Sequence, residues 1–463
     1  MTHELNCEVI TVNSNAIENL KTELGERCVL TGEAIGADYC HDEYPGGSFA
    51  PDAVVEAESA ENVAAVLKIC SESKTPVTVR GAGTGQAGGS VPVNGGVVLS
   101  IKGMNKVLGF DETERTLTVQ PGVLLQDVKA EAERRGLYYP PDPGEKTATI
   151  GGNAATDAGG PCAVKYGSTR DYVASALVVT ADGSIVRVDE KEKLDNIIGS
   201  EGTLGVITEL TLRLIDKPKA DAILLLPFMD TESCIKAAQT VLGTNCAPAV
   251  VEYMDTDMVE FSGKVTGNPV FPVEMDGERV AATLMAVLEG DDDDLVMEQM
   301  ETIAELAEEL ECLDILVGDT ITMKRDMWAA HDAFHTSMES GAKNSFEYNI
   351  TVPTEKIAEM VEWVKPAAEA KGMKAMVYAH VGTGGMHIHL AFDGEKPEFK
   401  TILADFTPTV YAKCVELGGD IRGEYGIGYA KLAYLNAEAL EKFAAAKAEL
   451  DPKGILNPGK AAV

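Results

Sequence analysis

A chain of 463 residues is long enough for two or three domains and a substantial core. Its 74 acidic against 39 basic residues argue against nucleic acid or anionic membrane as partners, and the surplus suits either solubility or a basic partner protein. No apolar run approaches the roughly 18 residues of a membrane span; the polar start Met1-Thr-His-Glu lacks a secretory pattern, and nine cysteines without a Cys-x-x-Cys pair point to a reducing cytoplasm and no iron–sulfur cluster.

In chain order, Ala53–Ala57 reads as a strand, and Ser59 caps a helix carrying Val63, Val66, Leu67 and Cys70 on one face. Pro76 ends the connection, and Val77–Arg80 is a strand that empties into Gly81-Ala-Gly-Thr-Gly-Gln-Ala-Gly-Gly89. So side-chain-poor a loop lets backbone N–H groups close on a diphosphate, although a tight turn has the same composition. Strands follow at 96–101 and 116–120, and then a helix with Leu124, Leu125, Val128 and Ala132 inward. A second glycine-rich stretch runs from Pro140 to Gly160, with Asn153 and Thr156 between its two Gly-Gly pairs, again suited to phosphate and ribose oxygens. The region 173–214 is mostly strand, with a hairpin turn at Asp182-Gly183. No Gly-x-Gly-x-x-Gly opens a helix with an acidic residue some twenty positions on, so the chain is not read as a Rossmann protein.

Past Lys217-Pro218 a second α+β region begins with the strand 222–228. Further strands are expected at 283–288 and 345–352, and helices at 295–310 and 354–369. Asp291–Asp294 is read as a solvated helix start that suits the macrodipole, with metal binding the lesser alternative. Five of the seven histidines fall between 331 and 389. His380-Val-Gly-Thr-Gly-Gly-Met-His387-Ile-His389 is a strand, a glycine-rich turn and a strand, so His380 and His387 can aim at one point. Glu424 lies inside another glycine-rich turn. Two imidazoles and one carboxylate with open positions suit a divalent transition metal; polar core residues tying a loop together are the alternative. His389, two residues from His387, points the same way.

Arg80-Gly-x-Gly-Thr-Gly, Pro141-Asp-Pro-Gly144 with Thr149-Ile-Gly-Gly-Asn153, and Ile198-Gly-Ser-Glu-Gly-Thr-Leu-Gly205 stand in the order seen in FAD-linked oxidases of the vanillyl-alcohol-oxidase and p-cresol-methylhydroxylase type, which the chain resembles. The end, Asp451-Pro-Lys-Gly-Ile-Leu-Asn457-Pro-Gly-Lys460, resembles the terminal motif of that family. The resemblance implies an α+β fold: a two-part FAD-binding domain over 1–217, a ferredoxin-like cap (substrate) domain over 218–444, and a returning segment over 445–463. It implies non-covalent FAD, because the surroundings of Thr84 offer neither histidine nor cysteine for a tether. The implied cofactor contacts are Arg80, Gly81, Ala82, Gly83, Thr84, Gly85 and Gly88 in the first loop. In the second stretch they are Pro141, Asp142, Gly144, Thr147, Gly151, Gly152, Asn153, Thr156, Gly159 and Gly160. Glu201, Gly202, Val206, Ile207 and Asn457 complete the set.

Within the family the chain looks most like the D-lactate, glycolate and D-2-hydroxyacid dehydrogenases, including the catalytic subunits that work with an electron-transferring flavoprotein. That likeness implies one divalent transition metal (Fe, Zn or Mn) on His380, His387 and Glu424. It also implies hydride transfer from a 2-hydroxyacid-like substrate to flavin N5 and an electron-acceptor protein, either an electron-transferring flavoprotein or an iron–sulfur subunit. Three positions depart from the pattern. Tyr425 replaces the histidine base, His331 replaces the arginine three residues after Trp328, and the segment between His380 and His387 lacks the family's asparagine. Tyr425, His389 and His331 are therefore expected in catalysis, and His331, His335 and Arg325 around the substrate. The departures lead to the expectation that the chain does not simply oxidise D-lactate; an oxygen-using oxidase and a non-catalytic FAD-holding subunit are the alternatives.

Overall fold

The computed structural model describes residues 14–306, 309 and 311–460; the polar start therefore lies outside the described residues, as does the far end of the helix expected to reach 310. Two compact units emerge. The first comprises the chain up to 158 with 168–216 and 425–463, and the second comprises 159–167 with 217–424. The returning segment of the first unit thus begins at 425, ahead of the expected 445. The eight cysteines among the described residues are free thiols. No helix among these residues is long and apolar enough to cross a membrane.

In the first unit, Ser59 Oγ accepts from Asn62 N at the start of the helix Ala60–Ser73, a cap worth about 1 kcal/mol. Val63, Val66, Leu67 and Cys70 of that helix are fully buried, as the 3.6-residue spacing demands. The helix links the strands Ala53–Glu56 and Val77–Arg80, which lie parallel on either side of Val97–Ser100 in a four-stranded sheet. The first glycine-rich loop therefore leaves from a strand's C-terminal end, where α/β ligand sites gather. Residues near the far end of the chain complete the edge: Val77 N donates to Ile455 O, and Asn457 N donates to Val77 O. A five-stranded antiparallel sheet built on Val206–Arg213 forms the other half of this unit. Within the second glycine-rich stretch, Ile150–Thr156 is a helix capped by Thr149, so Gly151 and Gly152 occupy its first turn.

The second unit is organised on a seven-stranded sheet whose neighbours are all antiparallel. Four of its strands, Ala220–Phe228, Val250–Asp255, Ala282–Gly290 and Leu316–Gly318, alternate with the helices Thr231–Leu242 and Asp293–Glu305 in a βαββαβ order. This is the ferredoxin-like arrangement expected of the cap. Lys374–His380, Gly385–Ala391 and Ser345–Thr351 extend the sheet beyond Val250–Asp255. The helices Ile321–Asp332 and Phe334–Gly341 cover one face, where Met327, Phe334 and Met338 pack with Met285, Met376 and Tyr378.

Candidate functional site

Strand register assembles a histidine–carboxylate cluster in the second unit. Side chains two apart on a strand share a face, and Tyr378 and His380 are followed across the hairpin by His387 and His389. Cross-strand pairing sets Glu252 against His380, Tyr378 against His387, and Glu347 against His389. The turn between the histidine strands is tight. Gly384 has φ +76°, and a Cβ there would lie 1.9 Å from Val352 O, so only glycine fits.

His380 Nδ1 is 2.7 Å from Glu252 Oε1, and His387 Nδ1 is 2.7 Å from Glu347 Oε1. With both Nδ1–H groups donating to carboxylates, the two Nε2 atoms face each other at 3.1 Å. Glu424 Oε2 lies 3.4 Å from the first and 3.6 Å from the second. Glu424 is fixed twice: Gly160 N donates to its Oε1, and its own N–H donates to Asn349 Oδ1 at 2.6 Å. Two imidazole lone pairs in contact repel unless a proton or a cation lies between them. The donor set of two nitrogens and one carboxylate oxygen, with a carboxylate behind each imidazole, therefore fits a divalent transition metal.

The electrostatics agree with that tight coupling. Burial raises the carboxyls of Glu252, Glu347 and Glu424, but the neighbouring imidazoles more than offset it and hold all three below the ordinary carboxylate value. Burial works against protonating His380, yet Glu252 and Glu424 drive its pKa well up. His389 goes the other way: burial brings it down to about 4, leaving it neutral.

His331 and His335, expected at the substrate, each pair with one of these carboxylates. His331 Nε2 is 3.2 Å from Glu252 Oε2, and His335 Nδ1 is 2.8 Å from Glu347 Oε2. His380 and His387 are thus each backed by a Glu–His pair whose outer histidine comes from a covering helix. Arg325 does not join them, because its guanidinium is exposed to solvent and pairs with Asp326. Glu252 and Glu347 escaped the sequence reading. The available signal was a lone carboxylate inside an apolar strand, in Val-Val-Glu-Tyr-Met and Phe-Glu-Tyr-Asn-Ile, since such a group is buried only when paired.

In the first unit the glycine-lined loop closes on Arg80. Its guanidinium is buried, donates to His41 O at 2.7 Å, and would collide with a Cβ at Gly83, where φ is +85°. Asn153 Nδ2 and Ser200 Oγ are buried without hydrogen-bond partners among the described residues. A cradle of bare backbone with unspent buried polar atoms fits a flavin dinucleotide. Other expected contacts hold the protein itself. Glu201 accepts from Ile427 N and Gly428 N. Asn457 Nδ2 donates to Glu201 O, and its Oδ1 accepts from Val79 N. Asp142 pairs with Lys129 and Lys146. Gly159 and Gly160 belong to the second unit, as Gly160 shows by donating to Glu424. Val206 and Ile207 open the central strand of the five-stranded sheet. Tyr425 is the first residue of the first unit's returning segment.

Comparison with known proteins gives a consistent result. A model of the FAD binding domain matches residues 51–189, and one of the C-terminal domain of FAD linked oxidases matches residues 217–461. The chain is 41% identical to a D-lactate dehydrogenase of Anaerostipes hadrus over 97% of both chains. It is 32% identical to the glycolate oxidase subunit GlcD of Bacillus subtilis over 91% of both. Its fold matches that of p-cresol methylhydroxylase with a TM-score of 0.77 at 20% identity, over 96% of both chains.

Proposed function

The chain belongs to the FAD-linked oxidase family, whose members are oxidoreductases, and on that premise we propose that it oxidises a small 2-hydroxyacid at its CH–OH group. The observation that carries this reading is the convergence of His380 Nε2, His387 Nε2 and Glu424 Oε2, each held from behind by a named partner. These three residues would hold a divalent cation, which lowers the pKa of a hydroxyl it binds and so eases loss of the C2 hydrogen as hydride to FAD. Glu252 and Glu347 fix the Nδ1–H tautomers, which leaves the Nε2 lone pairs available. Tyr425 is the proposed acceptor of the hydroxyl proton, a role open only to its phenolate form, which a bound cation would favour. His331 and His335 position carboxylates and leave the substrate's own carboxylate to the cation. A monocarboxylate is accordingly preferred to a dicarboxylate. Two relatives, from Anaerostipes hadrus and Archaeoglobus fulgidus, carry the name D-lactate dehydrogenase, which places D-lactate first among the compounds to try despite the substrate-side departures.

The flavin is proposed to be bound without a covalent tether and to pass its electrons, in the cytoplasm, to a protein acceptor such as an electron-transferring flavoprotein or an iron–sulfur subunit. The deciding experiment is stopped-flow bleaching of the FAD- and metal-loaded chain with D-lactate, glycolate and D-2-hydroxyglutarate. Reduction by the monocarboxylates, and slower reduction by the dicarboxylate, is expected. Failure of every 2-hydroxyacid to bleach the flavin would sink the reading.

A further inference from the structure

We propose that His335 Nδ1, Glu347 Oε2 and His389 Nε2 form a second cation site, separate from the His380–His387–Glu424 group. Each of the three residues offers a ligand atom that lies within 4.8 Å of those of the other two. His335 Nδ1 stands 2.8 Å, and His389 Nε2 3.8 Å, from the same carboxylate oxygen. Glu347 and His389 are cross-strand partners, so the sheet holds them side by side. His335 descends on them from the covering helix Phe334–Gly341.

What points to a ligand is His389. Its side chain is 2% exposed, and Nε2 has no hydrogen-bond partner among the described residues although it is directed at the Glu347 carboxylate. A proton on His335 satisfies Glu347 and leaves His389 Nε2 unspent, whereas a cation engages all three. The other Glu347 oxygen already receives His387 Nδ1, so filling the second site need not release the first. His335 is partly open to solvent, with a side-chain exposure of 28%, and provides the route of entry. Two imidazole nitrogens and one carboxylate oxygen select zinc, cobalt or another borderline transition ion over calcium or magnesium.

The inference does not depend on which substrate the chain oxidises. Its test is the metal stoichiometry of the FAD-loaded full chain, stripped with a chelator, dialysed against Co(II) and measured by mass spectrometry. Two equivalents per chain are expected, falling to one in His389→Ala and to one in His380→Ala. A plateau of one equivalent that His389→Ala leaves intact overturns the second site, as does retention of two equivalents in His389→Ala. A plateau of one that His389→Ala removes and His380→Ala keeps overturns the first site and supports the second. Because His389 shares a strand with His387, His335→Ala on the covering helix is the independent check; it too must lose one equivalent, and keeping both there refutes the proposal.

Discussion

Glu252 occupies the middle of a strand whose residues are all buried, with its own side chain fully inaccessible. An unpaired carboxylate there would cost several kcal/mol; it persists because His380 and His331 each approach one of its oxygens. Glu252→Gln keeps the volume and removes the charge that fixes the His380 tautomer. Metal affinity is expected to fall roughly 10- to 100-fold, measured by competition with a chromophoric chelator; unchanged affinity would show that Glu252 does not support the ligand. His331 is ringed by Trp328, Phe334 and Tyr378 with centroids 5.4 to 5.8 Å away. An arginine there is overpacked, so His331→Arg is expected to destabilise the protein by about 1–3 kcal/mol, visible as a lower melting temperature. It is not expected to install a substrate anchor, and a gain in turnover with undiminished stability would reverse that view. Asp257 offers a pH handle. Burial raises its carboxyl, but Lys365 and then Lys374 pull it down to about 2. Since the folded value lies below the unfolded one of about 3.9, the network stabilises above about pH 4 and the contribution is lost as pH falls through 2. Screened by solvent, it amounts to about 1 kcal/mol. Asp257→Asn should lower the melting temperature at pH 7, and the difference should shrink towards pH 2; a loss of equal size at both would refute the linkage.

The hairpin Lys374–Ala391 is the element on which the cluster depends. Its turn was legible from composition, because glycines between two histidine-bearing strands announce a close reversal, and the alternation of His387 with His389 gave their common face. The carboxylates behind them were not legible. Glu252 is 128 residues from His380, and Glu347 is 40 from His387. Only the register of the finished sheet brings them together, and no local period encodes that pairing. For the same reason the chain spacing of His331 and His335 does not reveal the carboxylates at which the covering helices aim them. Gly384→Ala tests the hairpin directly. The positive φ and the contact with Val352 O leave no room for a methyl group, so a loss of about 1–3 kcal/mol in stability is expected, together with weaker metal binding as His380 and His387 separate. Unaltered melting and metal content would show that the turn tolerates a side chain.

At the scale of the whole chain, the glycine-rich motifs carried the fold through their number and their order along the sequence, since one such loop alone has the composition of a tight turn. What they did not reveal is that several motif residues hold protein to protein: Glu201 receives two backbone N–H groups, and Asn457 ties a strand edge. Asn457→Ala is accordingly expected to weaken FAD retention tenfold or more through the strand Val77–Arg80, read out by flavin fluorescence on dilution; unchanged retention would separate that residue from the cradle. The returning segment also sets a timetable for biosynthesis. The strand that delivers the diphosphate loop lacks its outer neighbour until Ile455 and Asn457 have been made, while every residue of the second unit precedes them in the chain. Translation therefore finishes the later-numbered body before the earlier one can close. A chain released short of Asp451 should display a folded histidine cluster yet be unable to hold its yellow prosthetic group.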